Sequence, residues 1–380
     1  MRLACYNVEN LFARARAMNL ESWSEGRPAL EAFARFNRLI NKPRYTVRDK
    51  AAMLDLIETL GLAARDDARF VRLRQNRGQF LIRRRGPGAA GPEIVAGGRG
   101  DWTGWLELER EPVDDTAMRL TARVIAELEA DVIGVVEAES RPALAGFSDA
   151  VLPLEGAAPY RHVMLIDGND ARGIDCAVMT REGFAIAHMR SHVDLADAKG
   201  PVFSRDCPEF HLDLPGGGRL VVLVNHLKSK GYGSQRENDD RRRRQAAAVR
   251  DIVRRLAAEG VEHVAVVGDL NDTPAKARRH PLFPLLSEAG LTDVSALPGH
   301  EDGGFPGTYG GSTARQKIDY ILLSPALAAR AGRSGVFRRG MWPGVRPRKW
   351  DVYPEIDPAL GGAERHAASD HAALWVDLDI

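Results

Sequence analysis

At 380 residues, with 44% hydrophobic and 28% charged side chains, the chain has the composition of an ordinary globular protein and can bury one large core or two. Its 53 Lys and Arg against 52 Asp and Glu leave a net charge of +1, which excludes blanket affinity for nucleic acid and confines any basic surface to local patches. Three cysteines without metal-site spacing suit a reducing compartment, no apolar run approaches the roughly 18 residues of a membrane span, and the start from Met1 to Asn10 turns polar too early for a secretory signal, so a cytoplasmic protein is expected.

Residues 2 to 8 read as a first strand that carries Asn7 near its end. From about 13 to 115 the pattern changes. Leu30 to Leu39 and Thr46 to Leu60 have helical spacing, with Thr46 and Asp49 set as a capping box. Phe70 to Leu73 and Phe80 to Ile82 flank Gln75-Asn76-Arg77-Gly78 and predict a hairpin. A loop over Gly86 to Gly100 and a strand over Trp102 to Leu108 complete what reads as an insertion.

Regular alternation resumes with a helix from Ala117 to about Leu128, followed by Asp131 to Glu139, a buried strand ending in two carboxylates, Glu137 and Glu139, on one face. Further strands are expected near Tyr160 to Ile166, Asp175 to Thr180, Phe184 to Met189, Phe210 to Leu214 and Arg219 to His226. A helix from about Asp240 to Glu259 leads into the run Val264 to Val267, which is short and β-branched and stops at Gly268-Asp269-Leu270-Asn271-Asp272. Asp269 and Asn271 project to one face there; they either orient a water or simply close an Asx-turn. The last strands are expected at Lys317 to Leu323 and Ala372 to Leu378.

The strand ends share a design. Asn7, Glu137, His226 with Lys228, and Asp269 with Asn271 all stand where an apolar run stops, while Asp370 with His371 precedes the final apolar strand and Asp319, after Lys317, opens the strand before it. A cation and an imidazole suit an anionic substrate. Hard oxygen ligands at Asn7, Glu137 and Asp370 suit Mg²⁺ or Mn²⁺ better than zinc.

The ordered set Tyr-Asn7-Val-Glu-Asn-Leu, Val-Glu137-Ala-Glu, Asn-His226-Leu-Lys-Ser-Lys, Gly-Asp269-Leu-Asn271-Asp, Ile-Asp319-Tyr-Ile and Ser-Asp370-His371 resembles the endonuclease/exonuclease/phosphatase superfamily. The resemblance implies an α/β fold, a four-layer α-β-β-α sandwich with two face-to-face mixed sheets. It implies a catalytic domain over residues 1–12 and 117–380 and an insertion over 13–116. It also implies metal-dependent cleavage of phosphate esters. Carried over by motif, Asn7 and Glu137 resemble metal ligands, with Asp370 at the same or a second ion. Asp269 resembles the group that orients or deprotonates the attacking water, Asn271 its partner on the phosphate, and His226 and His371 the pair that contacts the scissile phosphate, with Asp319 holding one imidazole. Lys228 is expected to help neutralise the phosphate. The looser match at Arg172 and Asp175 marks them as substrate contacts.

The stretches after Gly-Asp-Leu-Asn and around Asp319 are nuclease-like rather than inositol-phosphatase-like, so DNA is the expected partner. A phosphomonoesterase, a lipid or small-molecule phosphodiesterase, and a binding protein without catalysis are the alternatives on the same fold. Three basic runs lean toward nucleic acid: nine arginines between Arg65 and Arg99, the segment Phe337 to Trp350 where cations interleave with aromatics, and Arg241 to Arg244. The insertion leaves the core right after Asn7 and returns before the helix that delivers Glu137. It is therefore expected over the active-site edge, its arginines facing phosphates. Cys5 and Cys176 fall on apolar strands and are expected to be buried; Cys207, beside Pro208, is expected to be more exposed.

Overall fold

A computed structural model describes residues 1–9, 11–18, 23–84, 91–170, 172–231, 234–275, 277–344 and 349–380. Two sheets dominate it. One has seven strands in the order His300–Glu301, Ala331–Phe337, Ala373–Leu378, Arg2–Asn7, Val132–Ala138, Asp175–Thr180 and His162–Ile166. The other has six, in the order Ile186–Arg190, Glu209–Asp213, Arg219–His226, His263–Asp269, Asp319–Leu323 and Thr292–Asp293. Both are mixed, since Arg2–Asn7 runs parallel to Val132–Ala138, and Arg219–His226 parallel to His263–Asp269, within otherwise mostly antiparallel neighbours.

Alternation along these strands sends one set of side chains between the sheets. Leu3, Cys5, Val136 and Val178 of the first sheet share a buried cluster with Phe210, Val222, Val224, Val267 and Ile321 of the second. The outward set meets helices. Ala4, Tyr6, Ile133 and Val135 pack with Leu120, Val124, Leu144 and Phe147 from the helices Asp115–Leu128 and Arg141–Ala150. On the far side, Val221, Leu223, Val264 and Val266 pack with Val249, Val253 and Leu256 of the helix Gln235–Ala258. The result is the four-layer α-β-β-α sandwich. Gly134 lets the sheets approach closely: a Cβ there would stand 2.6 Å from Val267 Cγ2.

A second compact unit spans Ala13–Pro112. Its helix Val47–Thr59 starts with the expected capping box, Thr46 Oγ1 accepting from the Asp49 N–H and Asp49 accepting from the Thr46 N–H. Its core stacks Phe80 on Trp102 at 4.5 Å between centroids, with Phe36 edge-on at 5.8 Å. The expected hairpin is not formed. Val71–Arg77 pairs with Thr103–Leu108 instead, and Leu81–Arg83 pairs with Pro92–Ile94, a strand inside the stretch read as a loop. The reason is local. Gln75 Oε1 accepts from both the Phe80 and Leu81 N–H groups, at 3.0 and 2.9 Å, so a side chain occupies the donors that a hairpin ladder requires.

Candidate active site

Register in the second sheet gathers the first three site residues. His226 lies opposite Asp269 in the parallel pair, and Asp269 lies opposite Asp319 in the antiparallel one. Directly opposed like charges destabilise a sheet, so this arrangement costs stability where it stands. Gly268 makes room for the crossing, with φ at +138° and Asn225 O only 1.9 Å from where a Cβ would be. Asn271 follows in left-handed backbone at φ 56°. This returns its N–H to Asp269 Oδ1 at 2.8 Å and its side-chain Nδ2 to Asp269 Oδ2 at 3.0 Å. The Asx-turn and the aimed carboxylate are therefore both present.

The first sheet contributes Asn7, Glu137 and the loop before Ala373–Leu378. Asn7 Nδ2 lies 3.5 Å from Asp269 Oδ2 and 3.5 Å from His371 Nε2, and its Oδ1 accepts from the Glu9 N–H at 3.1 Å. Ser369 clamps the loop by donating to Asn7 O at 2.8 Å and accepting from the His371 N–H at 3.0 Å. His371 Nδ1 meets Asp319 Oδ2 at 2.9 Å. Its Nε2 faces Asp370 Oδ1 at 3.8 Å and Asp269 Oδ2 at 4.0 Å. Glu137 departs from simple alternation. Its φ is 69°, and the ladder to Asp175–Thr180 skips it, pairing Asp175 with Ala138 and Cys176 with Val136. This bulge turns the Glu137 carboxylate to within 3.7 Å of His226 Nε2, while Glu139 accepts the Phe12 N–H at 2.7 Å. The two carboxylates expected on one face thus do different things.

Charge in this cluster is poorly compensated. Burial, then the neighbouring Asp319, pushes the Asp269 carboxyl far above the usual range. Burial alone would lower the His371 pKa, but Asp319, Asp370 and Asp269 outweigh it and raise it well above the ordinary imidazole value. His226 moves the other way, lowered by burial and by Arg205 and Arg172, so the two imidazoles are driven toward opposite protonation states. Asp319 Oδ1 is buried without a hydrogen-bond partner among the described residues. Asp269, Asp319 and His371 offer ligand atoms within 4.8 Å of one another. Hard oxygen donors, an orphan carboxylate oxygen and excess negative charge fit a divalent cation.

The remaining expected residues are Arg172, Asp175 and Lys228. Arg172 forks onto Asp170, with Nη2 to Oδ2 at 2.7 Å and Nε to Oδ1 at 3.0 Å. Asp175 is buried, 3% exposed, and accepts the Gly168 N–H at 2.8 Å, so it braces a turn beneath the surface. Lys228 is part-buried, its Nζ donating to Ser229 O at 3.2 Å. Sequence reasoning passed over Asp170 and Arg205, isolated charges in loops without a motif. It also passed over Tyr309, whose ring centroid lies 4.9 Å from that of His371. Asp370, burial, Glu9, Asp269 and Glu137 all raise the Tyr309 pKa, which marks its hydroxyl as a neighbour of the acidic cluster. Its only signal is the glycine-rich Gly307 to Gly311 loop ahead of Asp319.

Many cations of the basic runs are paired within the fold. Arg72 pairs with Asp67 and Glu109, Arg74 with Glu107, Arg83 with Asp66 and the Leu62 carbonyl, and Arg84 with Glu93. Arg242 is fully buried between Asp239 and Asp272, and Arg244 pairs with Asp197. Arg338 donates to the carbonyls of Asp302, Phe305 and Gly307, while Arg339 pairs with Glu127. Arg85, Arg346 and Arg348 lie outside the described residues.

A sandwich of two sheets with carboxylates and imidazoles converging at one edge defines a hydrolase of the phosphoric ester class. The family model of the Endonuclease/Exonuclease/phosphatase family matches residues 100–371, and the chain belongs to that family, which is generally divalent-metal dependent. Among solved structures, a mannosyl-6-phosphatase from Bacteroides thetaiotaomicron is similar at 18% identity and a TM-score of 0.49, covering 70% of this chain and 92% of that one. Truncated TDP2 from Caenorhabditis elegans is similar at 16% identity and a TM-score of 0.44, covering 69% of this chain and 90% of that one. The human nocturnin catalytic domain is similar at 16% identity and a TM-score of 0.45, covering 70% and 87%. No curated protein matches the chain. Among the described residues, no helix is long and apolar enough to cross a membrane.

Proposed function

We propose that the protein is a Mg²⁺- or Mn²⁺-dependent phosphodiester hydrolase acting on nucleic acid. In this reading residues 1–12 and 117–380 form the catalytic domain and 13–116 an insertion. The observation that carries it is the convergence of Asn7, Glu137, His226, Asp269, Asn271, Asp319 and His371 within hydrogen-bonding or near-contact range of one another.

Asn7, Glu137 and Asp370 would hold the ion, which when bound supplies charge neutralisation at the phosphate. The chain's own groups do the rest. Asp269, its Oδ2 shared by Asn271 at 3.0 Å and Asn7 at 3.5 Å, is the acceptor that orients the attacking water and takes its proton. His371, held as imidazolium on Asp319, donates from Nε2 to a phosphate oxygen as negative charge develops there. His226, kept neutral by burial and by the adjacent arginines, contacts the phosphate from the opposite side.

A second reading, a phosphomonoesterase for a small phosphorylated molecule, is favoured by the internal pairing of the basic runs, which removes much of the cationic surface a long polyanion would engage. The test is a cleavage panel of duplex DNA, single-stranded DNA, RNA and a phosphomonoester, with and without added Mg²⁺ or Mn²⁺. Metal-dependent cleavage of a nucleic acid supports the first reading; turnover of the monoester alone selects the second, and no metal-dependent turnover of any substrate overturns both.

A further inference from the structure

Arg205 is 2% exposed, and beyond holding His226 neutral the catalytic reading gives it no task. Its Nε lies 2.8 Å from Asp170 Oδ2, and its Nη1 donates to Leu227 O at 3.1 Å. Arg172 takes the same carboxylate through Nη2 at 2.7 Å, Nε at 3.0 Å and its own backbone N–H at 3.0 Å. One carboxylate therefore serves two guanidiniums. Lys228 adjoins them in the chain just past Leu227. Its N–H donates to Gln245 Oε1 at 2.8 Å, and Gln245 Nε2 donates to Ser204 Oγ at 3.1 Å, tying the Ser204-Arg205 loop to the end of the His226 strand.

The local potential is correspondingly positive. Burial, then Arg205, Arg172, Arg241 and Arg242, depress the Lys228 ammonium to about 7. Burial raises the Asp170 carboxyl, but Arg172 and Arg205 outweigh it and hold Asp170 far below the carboxylate range. Burying a guanidinium beside two further cations is expensive, and the sandwich core does not need it. A partly exposed cationic face above a buried arginine focuses field on an incoming anion.

We propose that Arg172 and Arg205, paired on Asp170, together with Lys228 just past the His226 strand, form a subsite for a second phosphate of the substrate, adjacent to the scissile one. The subsite rests on the phosphoester reading above and narrows it to substrates carrying two phosphates. Arg172 and Lys228, both part-buried, offer the donors, and Arg205 adds charge from beneath. The Leu227 carbonyl is the joint between subsite and chemistry, because it accepts from Arg205 Nη1 and also from Asn271 Nδ2 at 3.2 Å. A second phosphate held here would fix the register of the scissile phosphate against Asn271 and Asp269.

Two measurements test this. In metal-free protein inorganic phosphate is titrated by calorimetry, and the Arg172 and Lys228 variants separate binding at the cationic cluster from binding at His371. Binding is expected to weaken about tenfold in Arg172→Gln and in Lys228→Gln. No binding to the wild type, or equal binding to a folded variant, overturns the proposal. With Mg²⁺ present, TpT is compared with pTpT and TpTp, and glucose 1-phosphate with glucose 1,6-bisphosphate. The KM of one doubly phosphorylated member is expected about tenfold below that of its partner, and this ratio is expected to collapse toward one in Lys228→Gln. The pair that gains identifies the source of the second phosphate. A wild type that turns over either series without any such gain overturns the subsite. Phosphate binding that depends on Arg172 and Lys228 without turnover of any ester instead overturns the catalytic reading and leaves the subsite standing.

Discussion

His371 Nδ1 lies 2.9 Å from Asp319 Oδ2, and this buried contact fixes which ring nitrogen faces the reacting centre. Asp319 sets both the tautomer and the charge. Removing that charge in Asp319→Asn is expected to lower kcat by about a hundredfold or more. The sign of the pH effect follows from the cluster. Burial lowers the His371 pKa and Asp319 raises it more, so the imidazolium persists through neutrality and is lost only on the alkaline side. The alkaline limb of the kcat/KM profile should therefore move to lower pH in Asp319→Asn. An unchanged limb removes His371 as the acid.

Asp269 sets activity against stability. Its carboxyl is raised by burial and by Asp319, so its own contribution to the stability of the metal-free protein is fully present below the ordinary carboxyl pKa of about 3.9 and is lost as pH rises toward the folded value. Asp269→Asn is expected to flatten that decline and to stabilise the metal-free fold at neutral pH by about 1 kcal/mol or more, while activity falls about a hundredfold or more. Added Mg²⁺ should stabilise the wild type at neutral pH more than the variant. Urea titrations from pH 4 to 8 check this; a variant less stable than wild type contradicts it.

Glu209 is a structural counterpart far from the motifs. It is fully buried, with His211 Nε2 at 2.6 Å, His192 Nε2 at 3.1 Å and Arg255 paired to the same carboxylate. Burial raises its pKa, but His192, His211 and Arg255 outweigh this and hold it at about 2. For a depressed carboxyl, the stabilisation is complete above the ordinary 4.5 and disappears as pH falls through about 2. Glu209→Gln should cost about 3 kcal/mol at pH 7 and progressively less below pH 4.5. A penalty independent of pH would refute the ionic role.

The arginines of the 13–112 unit carry the opposite expectation to the one their sequence suggests. Arg72, Arg74 and Arg83 are paired with acids of that unit, and Arg83 also donates to the carbonyls of Leu62, Ala63 and Arg65. Replacing Arg72 and Arg74 by Gln should change the salt dependence of nucleic-acid binding by well under one unit per arginine, whereas Arg83→Gln should lower thermal stability. A drop of about one unit per residue would return these side chains to the phosphates.

All three thiols are sealed. Cys5, Cys176 and Cys207 are each at most 1% exposed, and burial pushes every one well above the ordinary thiol pKa. Cys207 is thus less accessible than its neighbour Pro208 suggested. Native protein should resist mild alkylation and keep its activity; complete inactivation would show that a thiol matters.

The sequence by itself determined the strands that end in Asn7, His226 and Asp269, because β-branched runs halted by polar groups are local patterns with a period of two. It determined the Thr46 cap and the family for the same reason: the motifs are short and contiguous. The bulge at Glu137, the failed hairpin at Gln75 and the fate of the arginines were decided by tertiary structure. A bulge depends on the partner strand, a hairpin on which donors are already occupied, and an arginine's electrostatic effect on the carboxylate packed against it. The opposed pKa shifts of His226 and His371 belong to the same class. Two imidazoles in similar strand-end motifs acquire different charge only because folding sets one beside Arg205 and the other on Asp319.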